Sequence, residues 1–161
     1  KPLNESMKRV LFVCLGNICR SPTGEAVLNK LIADNNLGHL LSCESAGTAG
    51  YHIGEEPDPR TQTHGEKRGY QFESLAQQFN PKRDFEHFDL ILCLDQSNYA
   101  NIRKLDPADK YSHKVKLLME FATKNSAREV PDPYYSDATV FEKVIDYCED
   151  ACHGILAWAQ K

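Results

Sequence analysis

Val10-Leu11-Phe12-Val13-Cys14-Leu15-Gly16-Asn17-Ile18-Cys19-Arg20-Ser21-Pro22 is the stretch that decides the fold. Its first four residues are apolar without alternation and rich in Val and Phe, the pattern of a strand buried on both faces of a parallel sheet. Cys14 then stands at the strand's carboxyl end. Ser21-Pro22 predicts a helix start, with Ser as N-cap and Pro in the first turn. Val27, Leu28, Leu31 and Ile32 continue as a helical apolar stripe, and Gly38, after Asn35-Asn36, supplies the stop. Residues 14–21 are therefore a tight connection from strand to helix. In such a connection backbone N–H groups and the positive end of the helix dipole converge on one point, which suits an oxyanion.

Both ends of this loop acquire chemical roles. A thiol held among inward-pointing N–H groups, a helix N-terminus and an arginine is favoured as thiolate, so Cys14 is a candidate nucleophile. Arg20 offers a planar fork of donors matched to two phosphoryl oxygens at once. Gly16 and Asn17 tolerate the positive φ that a loop curling around an anion requires, and the Asn17 side chain can brace it. Ser21 can donate its hydroxyl to the thiolate. Leu15, Ile18 and Cys19 complete the phosphate-binding loop. The plain alternative is a buried core cysteine that happens to precede an arginine. The strand before the loop, the Gly-Asn within it and the Ser-Pro after it favour the anion site, because one mechanism needs all of them.

Attack of a thiolate on a phosphate ester needs an acid for the leaving oxygen. Val130-Pro131-Asp132-Pro133-Tyr134-Tyr135 supplies a carboxylate between two prolines, which exclude helix and reduce the entropy of holding it in place. The two tyrosines suit the wall of an aromatic site. Taken alone, the segment also fits an ordinary proline-rich turn before the last helix.

Further from the loop, strands are expected over Arg9 to Val13, Leu40 to Glu44, Phe88 to Leu94 and Lys114 to Met119, with helical stretches between. A final helix from about Ala138 to Gln160 places Phe141, Val144, Ile145, Cys148, Ile155 and Leu156 on one side. Alternating strands and helices imply a single-domain, doubly wound α/β fold: a four-stranded parallel sheet of order 2-1-3-4 flanked by helices, with the phosphate-binding loop after strand 1. The first strand then lies at the topological switch point, where such sheets bind ligands. Residues 7–161 are expected to form that domain, and Lys1 to Ser6, which precede Met7, to be an expression remnant.

No signal sequence or apolar span is read from the chain, and the expectation is a cytoplasmic protein with reduced thiols. With a net charge of −4 across 161 residues and no basic run interleaved with aromatics, nucleic acid is not an expected partner. Cys14 and Cys19 could be drawn with Cys148 and Cys152 as a four-thiolate zinc site, but the spacings differ from the usual knuckles and the last helix's apolar side explains Cys148. Cys43 and Cys93 are read as core. The six histidines are scattered singly without metal-ligand or triad spacing. Asp95, ending the third strand, either touches the site or caps the helix after it.

Val13 to Pro22 together with Ser45-Ala46-Gly47-Thr48, Pro57-Asp58-Pro59-Arg60, Asp95-Gln96-Ser97-Asn98 and Asp132-Pro133-Tyr134-Tyr135 give the chain a family resemblance. From about Met7 nearly to its C-terminus it resembles the low-molecular-weight protein-tyrosine phosphatases. The resemblance implies a protein-tyrosine phosphatase in which Cys14 forms a phosphocysteine intermediate, Arg20 clamps the phosphate and Asp132 is general acid and then base. It implies further that Asn17 and Ser45 support the loop, that Ser21 assists the thiolate and that Cys19 pairs reversibly with Cys14 under oxidation. Tyr51, His52, Tyr134 and Tyr135, with Leu15, fall on the substrate rim. The implied substrate is a phosphotyrosine-containing protein and the product inorganic phosphate, with no metal or other cofactor; a monomer is the default expectation for the chain. One departure is Ser74-Leu75-Ala76-Gln77-Gln78, where many members carry a histidine before a basic-Gln stretch. Two alternatives stay open: a thioredoxin-coupled arsenate reductase, for which the cysteine pair after the third strand is missing, and a phosphate-binding module without catalysis.

Overall fold

The structure, a computed structural model, describes residues 7–161, and Lys1 to Ser6, read above as a remnant, lie outside the described residues. The strands are β1 (Lys8–Cys14), β2 (Leu41–Gly47), β3 (Leu90–Cys93) and β4 (Val115–Leu117); the helices are α1 (Arg20–Asp34), α2 (Pro59–Lys67), α3 (Pro81–His87), α4 (Gln96–Lys104) and α5 (Ala138–Ala159). All strand pairs are parallel and the order is β2-β1-β3-β4, as the alternation of elements predicted.

The unbroken apolar run of β1 is explained by its two covered faces. Val10, Phe12 and Cys14 join Leu90 and Leu92 under α1 and α5, while Leu11 and Val13 join Ile91 and Cys93 against Phe85 of α3, Phe88 and Ile102 of α4. Each strand residue is removed from water on whichever side it points, which favours Val, Leu, Ile and Phe at every position. Because β1 pairs with β2 on one edge and β3 on the other, Cys14 ends its strand where the chain's winding reverses. Its register partners there are Gly47 on β2 and, for the preceding Val13, Cys93 on β3.

Several boundaries differ from the sequence reading for local reasons. β2 runs on to Gly47, since pairing with β1 continues to Cys14. β3 begins only at Leu90 because Phe88 closes α3 and Asp89 turns its carboxylate onto the Arg9 N–H at 2.8 Å. β4 stops at Leu117, whose N–H is taken by the Glu120 carboxylate at 2.9 Å as a short 3-10 turn, Leu118–Phe121, begins. α1 starts at Arg20 with Cys19 in the capping position, so Ser21 and Pro22 lie inside the first turn and Ser21 is not the N-cap. Its end is set by Asn36 rather than Gly38. Asn36 takes φ 55°, and Leu37 N–H and Asn36 N–H bond back to Ile32 O (2.9 Å) and Ala33 O (3.2 Å), a left-handed helix stop that Asn can supply in place of Gly.

The last helix follows the predicted stripe closely. Asp137 caps α5 by accepting the Thr139 N–H at 3.1 Å, and Phe141, Val144, Ile145, Cys148, Ile155 and Leu156 are all buried, with Ala151 and Cys152 added to them. Among the described residues, no helix is long and apolar enough to cross a membrane.

Candidate active site

Beyond Cys14 the chain leaves the sheet but stays tied to β2. Thr48 N–H bonds to Cys14 O at 2.9 Å and Ala49 N–H to Leu15 O at 3.0 Å. Gly47 makes that approach possible, since a Cβ there would lie 2.7 Å from Leu15 O. Asn17 is the loop's one residue with positive φ, at 59°. Its Oδ1 accepts the Gln77 N–H at 2.9 Å, which leaves its amide to donate to Ser21 Oγ (2.8 Å) and Ser45 Oγ (2.9 Å). Gly16, expected to share the positive φ, does not; what its missing side chain permits is the approach of His52, whose Cδ2 would sit 3.0 Å from a Cβ.

Inside this brace Cys14 Sγ is buried, 2.9 Å from Ser21 Oγ and 3.4 Å from the Ser21 N–H. Arg20 is also buried, and its Nη1 donates to Asp95 Oδ2 at 2.6 Å and Val130 O at 3.1 Å. Its Nη2 lies 3.7 Å from Asp132 Oδ2. Burial opposes the guanidinium charge, but Cys14, Asp95 and Asp132 around it hold the pKa above the ordinary arginine value. Asp95 does both things the sequence left open, since its Oδ1 also accepts the Asn98 N–H at 2.8 Å and caps α4. Asp132 is half exposed at the mouth, with Oδ1 accepting the Tyr134 N–H at 3.1 Å. Burial pushes the Cys19 thiol up to about 12, against the lowering effect of a hydrogen bond with Thr61.

The cleft above these groups measures about 230 Å³. Cys14, Gly16, Ile18, Cys19 and Arg20 line it from the loop, and Leu15, Tyr51, His52, Asp132, Tyr134 and Tyr135 from the mouth. Tyr134 meets Tyr135 edge-on at 4.8 Å and is 6.4 Å from the His52 ring, with the Arg60 guanidinium 5.5 Å away. Arg60 is itself held by both oxygens of Asp58 at 3.0 and 2.8 Å. Exposed Leu15, Tyr51 and Tyr135 thus stand at the mouth, above the buried Cys14 and Arg20. Every residue assigned to the site from sequence is in or beside this cleft, with Ser45 behind the loop.

Comparison with known proteins agrees with this geometry. The profile of the low molecular weight phosphotyrosine protein phosphatase family matches residues 9–161. The chain belongs to this family. It is 51% identical over 92% of its length to 94% of a Synechocystis sp. protein provisionally named as a low molecular weight protein-tyrosine-phosphatase. The human low molecular weight phosphotyrosine protein phosphatase is 40% identical, over 94% of this chain and 96% of that one. Among solved structures, the protein tyrosine phosphatase of Entamoeba histolytica with Hepes in its active site superposes with a TM-score of 0.91 at 40% identity, covering 95% and 97% of the two chains.

In this low-molecular-weight phosphatase several groups beside the loop were not singled out from sequence. Val130 offers its carbonyl to Arg20 and Gln77 its N–H to Asn17, backbone contacts that carry no residue-type signal, although the Gln77 side-chain amide also donates to Ser45 O at 2.9 Å. Glu25 is different. It lies one turn after Ser21 on the buried side of α1, where its Oε1 accepts from Ser45 Oγ and its Oε2 from Ser74 Oγ. A charged residue among the apolar positions of that stripe was the available clue. Burial raises the Glu25 pKa, against the two serine hydrogen bonds, with Glu44 adding to the rise. Ser74, the departure noted above, therefore keeps a hydrogen bond to the loop's support.

The remaining thiols do not line the cleft. Cys93, Cys148 and Cys152 are core residues, whereas Cys43 is only half-buried, its Sγ 3.3 Å from Asn29 Oδ1. Among the described residues, no group of three or more His, Cys, Asp or Glu is placed to hold a metal ion.

Proposed function

We propose that the protein hydrolyses phosphotyrosine in proteins, and aryl phosphates generally, through a phosphocysteine on Cys14. The observation that carries this reading is the meeting of Cys14, Arg20 and Asp132 at one cleft, with the Ser21 hydroxyl 2.9 Å from the sulfur. Loop N–H groups and the free side of the Arg20 fork would take the phosphoryl oxygens, whose charge spreads over them in the transition state. Cys14 Sγ forms the S–P bond as the P–O bond to the phenol breaks, and Asp132 delivers its proton to the departing oxygen. In the second step Asp132 takes a proton from water, whose oxygen attacks phosphorus. The S–P bond then breaks, returning thiolate and inorganic phosphate. Ser21 serves in both steps, since a hydroxyl that stabilises the thiolate makes it a better leaving group. The aromatic rim of Tyr51, Tyr134 and Tyr135 favours an aryl ester over a short alkyl one. The Hepes held in the Entamoeba enzyme's active site carries a sulfonate, an anion of similar shape.

Residues 7–161 act in this reading as one domain and one monomeric unit, because a single chain supplies nucleophile, clamp and acid. With unpaired thiols throughout, it suits a reducing, cytoplasmic setting. Cys19, next to Cys14 in the cleft, would trap an oxidised Cys14 as a disulfide. Arsenate reduction would need an accessible relay thiol, and Cys93 and Cys148 are buried with pKa values far above the usual thiol range. The test is hydrolysis of an aryl phosphate at mildly acidic pH by the native chain and by Cys14→Ser. Turnover should vanish in the variant while vanadate binding persists; turnover retained in Cys14→Ser would end the covalent mechanism.

A further inference from the structure

The acid that the mechanism leaves unused is Glu25, which is only 8% exposed although no cation among the described residues pairs with it. Its place becomes clear when the hydrogens behind the loop are counted. A serine hydroxyl has one proton and two lone pairs, and an amide nitrogen has two protons and no acceptor. Gln77 N–H fixes Asn17 Oδ1 as acceptor, so the Asn17 amide must donate to both Ser21 Oγ and Ser45 Oγ. Ser45, already receiving from Asn17, directs its only proton to Glu25 Oε1. Ser21, receiving from the same amide, has its proton free for Cys14 Sγ at 2.9 Å in preference to Ala46 O at 3.4 Å. The relay thus has an acceptor at each end, a carboxylate and a thiolate. If Ser45 lost its acceptor, its hydroxyl could turn and compete for the space the Asn17 amide occupies.

We propose that Glu25 is a positioning residue that, through Ser45 and Asn17, aims the Ser21 hydroxyl at the nucleophile. This inference rests on the phosphatase reading, but its first readout does not. Glu25 reaches this position from a cavity of about 380 Å³ between α1 and residues 69–75, bordered by Asn29, Lys30, Phe72 and Glu73 and lying behind the loop rather than in the substrate cleft. Water therefore has access to the outer side of the carboxyl without crossing the substrate cleft. Ser74 also lines that cavity and donates to Oε2.

The experiment is the pH profile of Cys14 alkylation by iodoacetate, without substrate, in the reduced native chain and in Glu25→Ala, Glu25→Gln and Ser45→Ala. Loss of one well-aimed hydroxyl should move the midpoint for Glu25→Ala up by roughly half to one pH unit. Glu25→Gln, whose amide oxygen can still accept from Ser45, should restore most of that shift, and Ser45→Ala should repeat the alanine shift. kcat for an aryl phosphate should fall by about three- to tenfold in Glu25→Ala with KM changed less than about twofold, since the phosphate contacts remain. A folded Glu25→Ala with the native profile overturns the proposal. Should that variant not fold, an unchanged profile in Ser45→Ala overturns it equally. A native chain that alkylates normally but hydrolyses nothing would refute the phosphatase reading, while the alkylation shifts would still decide the role of Glu25.

Discussion

Asp95→Asn and Asp95→Ala separate two jobs that one side chain performs. Asp95 Oδ2 holds the buried Arg20 at 2.6 Å, and its Oδ1 caps α4 through Asn98 N–H at 2.8 Å. Alanine removes both. A hydrogen bond to a charged group contributes about 1.5–3 kcal/mol, and an N-cap about 1 kcal/mol, so Asp95→Ala should cost about 2.5–4 kcal/mol. Asparagine is an equally good cap, and its cost should be smaller by about 1 kcal/mol. Buried ion pairs can break even against apolar replacements, but here one partner alone is removed, which leaves Arg20 buried with Asp132, at 3.7 Å, as its one paired carboxylate among the described residues. At about 2–4 °C per kcal/mol for a chain of this size, Tm should fall by about 5–15 °C in the alanine variant and by a few degrees less in the asparagine variant. Thermal unfolding followed by circular dichroism, with vanadate affinity measured on the same samples, provides the comparison. Because Nη1 loses its anchor, vanadate should bind about tenfold more weakly to both variants. If both variants melted within about 1 °C of the native chain, the claim that Asp95 fixes Arg20 would be wrong.

Three other outcomes are expected. Asp132→Asn should slow turnover by about 10²–10⁴ and chiefly for poor leaving groups; equal slowing across a series of substituted phenyl phosphates would remove Asp132 as the acid. In Cys19→Ser, activity lost to dilute peroxide should no longer return with dithiothreitol, whereas the native chain should recover, if Cys19 traps a Cys14 sulfenic acid as disulfide and water in the way proposed above. Asp150 accepts the N–H groups of Thr123 (2.9 Å) and Asn125 (2.8 Å), and with Lys124 N–H these hold its carboxyl below the ordinary 3.8 although burial opposes them. A depressed folded pKa gives stability that is present above the unfolded value and lost as pH falls through the folded one. Asp150→Asn should therefore flatten the drop in urea midpoint between pH 7 and pH 3, and an unchanged drop would assign the acid sensitivity elsewhere.

The sequence by itself determined the parallel α/β fold and the set of groups that the loop brings together. A strand buried on both faces must be apolar throughout, and a thiol, a permissive Asn and an Arg at fixed offsets between strand and helix have few other uses, so local composition carried the information. It also singled out Asp132, since two prolines around it are a local constraint, and the structure brings that carboxylate to the cleft. Three things waited for the tertiary structure. Strand ends depended on partners distant in the chain, such as Asp89 on Arg9. The anchoring of Arg20 by Asp95 and Val130 spans 75 and 110 residues, and one of those contacts is a backbone carbonyl that any residue could offer. The relay from Glu25 to Cys14 joins α1, β2 and the 74–77 segment, and the sense of its hydrogen bonds is fixed only when all of them meet. Periodicity and spacing report what a residue does to its neighbours in the chain. Which donor faces which acceptor across the fold is decided by packing.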